Sequence, residues 1–410
     1  MDIFCVWQRN TVLRYHYIKC CTILLQGWRN SMDRINKLMK LFEDKPLDAI
    51  FLLKPLNIFY LTGVYVNGVL YLGGDRPLLF VRRPKERPLN SRVDVVFINS
   101  FKDIKSYLSQ PLSRVGLELD SLPYNTVTRI VSTFGSKEVV DISNEIRLVR
   151  MKKDNGEIEK IKSAGQIVAK VFEKLTEVFV PGMSELDLLI ELEYFSRKMG
   201  NLGVYRMHSF GNEASFSHIL QGESAFFPSY LDAPTGGLGV SEAFPQGASH
   251  RKIEPNKPFT VDVMINYDGY IADATRTFVY GNVSEEVKNY WEKLTSIYRF
   301  LADLLVPGSV CEDVYLKTMS YVGSLELEDV FMGVGQDKVK FIGHGVGLEV
   351  DEFPFLAKGF QLKLEQNTVL AVEPKLFSKS FGIMGIEDTF LVEKDGPKSL
   401  IPFDQRLVVL

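Results

Sequence analysis

The chain has 410 residues, of which 46% are hydrophobic and 24% are charged, and its formal net charge is −3. This length predicts two domains of unequal size, and the composition is typical of a globular protein. The small net charge gives no indication of a nucleic-acid partner, and no apolar run reaches the length that a membrane span needs. The cysteines show neither a disulfide framework nor the spacing of a zinc site, which favours a cytoplasmic protein. They are Cys5, Cys20, Cys21 and Cys311.

The first 31 residues differ from the rest of the chain. They hold three of the four cysteines and two of the three tryptophans, and their basic residues do not precede a single apolar core as in a secretory signal. We expect the native chain to start at Met32 and residues 1–31 to be a non-native or unstructured extension.

Residues 32–147 alternate between short strand-like and helical patterns. An amphipathic helix is predicted over 33–43 and a helical segment over 103–108. Mixed elements of this length predict a compact α/β domain, in which we find no catalytic constellation. The strand-like runs are 48–53, 69–72, 78–81, 95–98 and 115–117.

A polar stretch, 148–156, predicts a linker to a second domain over 157–410. Apolar residues at helical spacing predict a long helix from Ile158 to Val178, which Pro181 and Gly182 end. Ser184 is then a candidate N-cap for another helix. A similar Val-Pro-Gly segment recurs at 306–308 after a second long helical pattern, which suggests two halves related by a pseudo-twofold axis.

The stretch from 261 to 278 predicts a β-hairpin. Asp268 and Gly269 lie between two alternating runs and favour a two-residue type I′ turn. That turn pairs Met264 with Asp273, which makes Asp262 and Asp273 diagonal neighbours on one face. Their carboxylates are then close enough to share a cation, although an exposed face with two solvated acids is the alternative.

Three further residues complete a candidate metal centre. His344 lies in Gly-His-Gly, where the glycines leave the imidazole accessible, although a lone histidine is more often structural. Glu373 and Glu387 lie on a second predicted strand pair, 368–373 with 385–392. Four carboxylates in one pocket would raise one another's pKa unless cations neutralised them.

In these motifs the sequence resembles the pita-bread metallopeptidases, in particular the Xaa-Pro dipeptidase (prolidase) and Xaa-Pro aminopeptidase branch. The resemblance runs from about residue 32 to the end, and it includes Leu61-Thr62-Gly63 in the first domain. It implies an α+β fold with two domains. A smaller creatinase-like α/β domain comes first in the chain, and a C-terminal pita-bread domain follows, in which helices cover a pseudo-twofold sheet. The motifs of the second domain are Asp-Gly-Tyr…Asp…Thr-Arg-Thr-Phe, Gly-His-Gly-Val-Gly-Leu with Glu352 and Pro354 after it, Val-Glu-Pro and Gly-Ile-Glu-Asp-Thr.

The resemblance also implies a mechanism. Two divalent ions are expected, with Asp262 on one, His344 and Glu373 on the other, and Asp273 and Glu387 bridging them. The donor set suits Mn²⁺, with Co²⁺, Fe²⁺ or Zn²⁺ as alternatives. A hydroxide between the ions would attack the scissile carbonyl, and Glu373 would carry the proton to the leaving amine. Family members of this branch are commonly dimers, so a homodimer is expected.

The chain departs from the family pattern at three positions. Gln246 and Asp351 stand where the family has histidines, and Gly385 stands where an arginine is common. Gln246 still offers an amide donor, whereas an ionised Asp351 would favour a cationic group of the substrate. His218 and His250 are interpreted as surface residues.

The predicted function is that of a dinuclear metallohydrolase that removes the N-terminal residue from Xaa-Pro or related short peptides. Gln246 and Asp351 are expected to line the substrate site. Two alternatives remain open at this point: a metal-dependent enzyme of the same fold that is not a peptidase, and a member that binds metal or peptide without turnover.

Overall fold

A computed structural model describes residues 30–86, 89–108 and 111–410. The chain divides into two compact units, Met1–Val149 and Arg150–Leu410. The predicted extension over 1–31 lies outside the described residues except for its last two. Both neighbouring helices extend into the predicted linker, 148–156. Helix α5, Ser143–Met151, ends inside it, and helix α6, Asn155–Val178, begins inside it. The predicted domain boundaries at 147 and 157 stay predictions.

The first unit is built around a six-stranded mixed sheet with the strand order β4-β3-β2-β1-β5-β6. β1 pairs antiparallel with β2 and parallel with β5. Phe51, Phe80 and Ile130 are fully buried in its core. All five strand-like runs and both helical segments of the sequence analysis correspond to observed elements. The elements are a helix over 30–40 (α1), β1 Ala49–Leu52, α2 Pro55–Thr62, β2 Asn67–Leu72, β3 Leu78–Arg83, β4 Asp94–Phe97, α3 Phe101–Ile104, β5 Arg114–Leu117, α4 Tyr124–Phe134 and β6 Glu138–Asp141.

Four long helices surround the sheets of the second unit. The carboxylate of Asp154 accepts a hydrogen bond from the backbone N–H of Glu157 and caps α6. Ser184 caps the next helix in the same way through the N–H of Asp187, as its sequence predicts. The remaining helices are α7 Glu185–Lys198, α8 Glu285–Asp303 and α9 Cys311–Ser324.

The second unit has two principal sheets and one separate strand pair. One sheet has the order β17-β9-β8-β7, the other β11-β10-β12-β15-β16, and β13 pairs with β14. The strands are β7 Ser217–Gln221, β8 Pro258–Tyr267, β9 Tyr270–Val279, β10 Phe341–Gly345, β11 Glu352–Ala357, β12 Val369–Val372, β13 Lys375–Ser378, β14 Gly382–Gly385, β15 Asp388–Glu393, β16 Gly396–Ser399 and β17 Val408–Val409.

The two Val-Pro-Gly segments have the same local structure. Gly182 and Gly308 both have a positive φ, of 93° and 95°, which favours glycine. Three residues after each proline, Ser184 and Val310 each form an isolated antiparallel bridge. The internal similarity seen in the sequence is therefore a similarity of backbone conformation. No helix of the described residues is both long enough and apolar enough to cross a bilayer.

Candidate metal centre

The predicted hairpin is formed by β8 and β9. Tyr267 pairs with Tyr270 and Met264 with Asp273, which confirms the predicted register. Asp268 and Gly269 have φ values of 49° and 91°, as a type I′ turn requires. Because the register is as predicted, Asp262 and Asp273 occupy diagonal positions on one face, and Asp273 is buried rather than solvated.

The second sheet supplies the other three predicted ligands. His344 lies on β10 beside Ala371 of β12, and Glu373 directly follows β12. Glu387 directly precedes β15, and its backbone exchanges hydrogen bonds of 3.0 and 3.3 Å with Thr275 of β9. The two sheets therefore meet at this pair of strands, and their ligand-bearing residues face each other.

Asp273, His344 and Glu387 form a group that fits one metal ion. Each offers a ligand atom, and the three atoms lie within 4.8 Å of one another. Oδ1 of Asp273 is buried and has no hydrogen-bond partner among the described residues, which is costly unless a cation binds there. One imidazole and two carboxylates with an open side are a donor set that divalent transition metals accept.

Lys375 lies in the centre, although the sequence analysis did not name it. Its side chain is completely buried, and Nζ lies 2.6 Å from Oε2 of Glu373 and 3.1 Å from Oε2 of Glu387. A third carboxylate oxygen, Oδ2 of Asp262, is 3.5 Å away. The signal was present, since residues two apart on an extended chain share a face and Lys375 follows Glu373 by two.

The carboxyl groups of the centre have raised pKa values. Burial is the largest cause for Asp273, and Glu387 and Asp262 add to it, so its pKa lies well above the usual range. Burial also raises the pKa of Asp262, Glu373 and Glu387, while the ammonium of Lys375 works in the opposite direction. A further cation would stabilise the ionised form of these carboxyl groups.

Burial alone would lower the pKa of Lys375. The carboxylates of Glu373, Glu387 and Asp262 outweigh that effect and hold its pKa well above the usual range.

The five predicted ligands line one cleft of about 830 Å³. Gln246 and Asp351, the predicted substrate-site residues, line the same cleft. Oδ1 of Asp351 accepts a 2.6 Å hydrogen bond from the backbone N–H of His208, and burial raises the pKa of Asp351.

The interpretation of His218 as a surface residue is wrong. His218 lies on β7 opposite Asp262, is buried, and also lines the cleft. Its Nε2 is 3.1 Å from Nε2 of Gln246 and its Nδ1 is 2.9 Å from Oγ1 of Thr235. Burial and the charge of Lys375 lower the pKa of His218 to about 4, so the ring is neutral at pH 7. His250 is exposed, as interpreted.

Known families and proteins match this chain over most of its length. The model of metallopeptidase family M24 matches residues 159–394, and that of the creatinase/prolidase N-terminal domain matches 34–152. An Xaa-Pro dipeptidase from Pyrococcus furiosus is 25% identical over 384 residues, which cover 92% of this chain and 99% of that protein.

Solved structures show the same fold. A prolidase from Pyrococcus horikoshii superposes with a TM-score of 0.76 at 23% identity, over 92% of this chain and 100% of that one. An Xaa-Pro dipeptidase from Bacillus anthracis gives a TM-score of 0.78 at 22% identity, over 93% of this chain and 100% of that one. The predicted fold class is confirmed: along the chain, a creatinase-like domain is followed by a pita-bread domain. The chain belongs to metallopeptidase family M24 and carries the creatinase/prolidase N-terminal domain ahead of the metallopeptidase domain.

Proposed function

We propose that the protein is a metal-dependent peptidase that removes the N-terminal residue from short peptides with proline in the second position. The observation that carries this proposal is the convergence of Asp273, His344 and Glu387 at the wall of an 830 Å³ cleft. The substrate class comes from similar proteins, which are named Xaa-Pro dipeptidase and prolidase.

A divalent ion held by these three residues would polarise the scissile carbonyl and acidify a water molecule. We propose that Glu373 handles the proton. Its Oε2 is engaged by Lys375, whereas its Oε1 faces His344 Nε2 at 3.6 Å. We assign Glu373 Oε1 as the atom that accepts a proton from the attacking water and returns it to the leaving amine.

The remaining polar residues of the cleft would orient the peptide. The amide of Gln246 is fixed by His218 on one side and by the hydroxyl of Ser229, which donates to its Oε1 at 3.0 Å, on the other. Asp351 places a carboxyl group in the cleft and would favour the N-terminal ammonium of a peptide over a C-terminal carboxylate. This arrangement favours tripeptides and longer Xaa-Pro peptides over dipeptides.

The test is hydrolysis of Xaa-Pro dipeptides, Xaa-Pro tripeptides and matched proline-free peptides by the full chain with Mn²⁺ and after EDTA treatment. We expect metal-dependent cleavage of the proline peptides, with tripeptides the better substrates. Asp273→Asn should abolish both cleavage and metal retention. Equal cleavage of proline-free peptides would contradict the substrate class, and activity that survives EDTA would contradict the metal dependence.

A second candidate is a member that binds metal and peptide without turnover. Gln246 and Asp351 at the usual histidine positions favour it, because two imidazole donors to the reacting carbonyl are replaced. Tight peptide binding by calorimetry, with no product after prolonged incubation, would select this candidate. Manganese as the bound ion, the homodimer and the cytoplasmic location remain predictions from the sequence.

A further inference from the structure

We infer that the ammonium of Lys375 takes the place of one of the two cations expected in this centre, so that the chain binds a single divalent ion. The inference rests on the metal binding proposed above, but it does not depend on which peptide is cleaved or on whether any is.

The position of Nζ is that of a cation. The first ion implied by the family resemblance would contact Asp262 and share Glu387 with the second. Nζ of Lys375 lies 3.5 Å from Oδ2 of Asp262 and 3.1 Å from Oε2 of Glu387. The ammonium therefore already lies beside the two carboxylate oxygens that the first ion would use, and a divalent ion on the same side of them would be repelled by it.

The side chain is held in this position by its surroundings. Lys375 lies opposite Gly385 in the β13–β14 pair. A Cβ at Gly385 would lie 3.0 Å from Cγ of Lys375, so the missing side chain provides the space through which the lysine stem passes. The family arginine is absent from this very position. Lys375 is completely buried, so an ion at the position of Nζ would have to displace a closely packed side chain.

The second ion position remains available. The group of Asp273, His344 and Glu387 does not need Asp262, and Oδ1 of Asp273 has no hydrogen-bond partner in the described chain. A divalent ion there would also offset negative charge that one ammonium cannot balance among four carboxyl groups. One divalent ion neutralises most of that excess, and a second is not needed.

The stoichiometry of the unaltered protein is the first test. The full chain is stripped with EDTA, titrated with Mn²⁺ by calorimetry, desalted and analysed for metal content. We expect one equivalent per chain and an EPR spectrum without exchange coupling between two Mn²⁺ ions. Two equivalents, or none, overturn the inference. Peptide hydrolysis is not read in this experiment, so failure of the proposed function and failure of this inference are distinguishable.

Variants identify the lysine as the cause. Lys375→Ala empties the position and should admit a second equivalent, whereas Lys340→Ala, an exposed lysine that lines the same cleft, should still bind one. A Lys375→Ala protein that folds and still binds one equivalent overturns the inference.

Asp262→Asn gives an independent answer that does not require the lysine variant to fold. Because Asp262 faces the ammonium rather than the ion, this change should alter the Mn²⁺ Kd by less than about threefold, while Asp273→Asn should weaken it by more than about tenfold. Equal losses in both variants would assign Asp262 to the ion and overturn the inference.

Discussion

A buried charge cluster next to the metal centre gives the sharpest stability prediction, and Glu352→Gln is the change that tests it. Oε1 of Glu352 accepts a 2.5 Å hydrogen bond from Arg150, and Oε2 lies 3.0 Å from Nζ of Lys153. Oε1 also accepts from the backbone N–H groups of Leu348 and Glu349, which belong to the loop after His344. The carboxylate of Glu352 therefore links the first residues of the second unit to the loop that follows His344.

The magnitude follows from the pKa of Glu352. Burial opposes its ionisation, but Arg150 and Lys153 more than compensate and lower the pKa from 4.5 to about 2. A lowered carboxyl pKa stabilises the fold above the unfolded-state value, and that stability is lost as the pH falls through the folded value. At 1.36 kcal/mol per pKa unit, ionised Glu352 contributes about 3 kcal/mol at pH 7. The same order is expected for breaking a buried ion pair.

Urea denaturation followed by circular dichroism measures the cost, and hydrogen exchange of peptides from β10 and β11 reports the local effect. Glu352→Gln should lower the free energy of unfolding by about 3 kcal/mol at pH 7 and by less than half of that at pH 3. The matched control is Glu365→Gln, which removes an exposed 3.2 Å pair with Lys152 and should cost under about 1 kcal/mol. Equal costs for the two variants, or a cost that does not shrink at pH 3, would refute the reasoning.

Three further changes probe the surroundings of the centre. Asp388→Asn breaks a 2.8 Å ion pair with Arg276, in which both side chains are fully buried. Thermal denaturation should show a loss of about 3–5 kcal/mol in the free energy of unfolding, and a loss below about 1 kcal/mol would show that the pair is dispensable. Gln246→Ala should lower kcat/KM for Xaa-Pro tripeptides by about tenfold or more and leave the metal content unchanged. A loss of bound metal would instead show that Gln246 contributes to metal binding. Gly385→Ala should cost about 1–3 kcal/mol, because a Cβ there lies 3.0 Å from Cγ of Lys375 and 3.2 Å from Cγ2 of Thr275. The cost should fall in a Lys375→Ala background, which removes the lysine contact and keeps the threonine contact; a cost unchanged by that background would locate the strain elsewhere.

The sequence predicted the hairpin register because the turn chemistry of Asp268-Gly269 is local. The spacing places Lys375 on the same face as Glu373, but it could not show that the lysine side chain is buried, because its neighbours across the strand are unknown from the sequence. The pairing with Gly385, which leaves room for the stem, is a tertiary fact that appears when β13 and β14 are paired. His218 was misjudged for the same reason, since its burial depends on the β7–β8 register with Asp262.

One departure from the family pattern, Gln246, is explained by the histidine that it contacts. Burial and then the charge of Lys375 lower the pKa of His218, so that ring is neutral at pH 7 beside the amide of Gln246. The amide of Gln246 carries two N–H donors at every pH, whereas a neutral imidazole at this position would carry one. Glutamine at this position therefore supplies a hydrogen-bond donor whose charge does not change with pH, beside a histidine that the structure keeps neutral at pH 7.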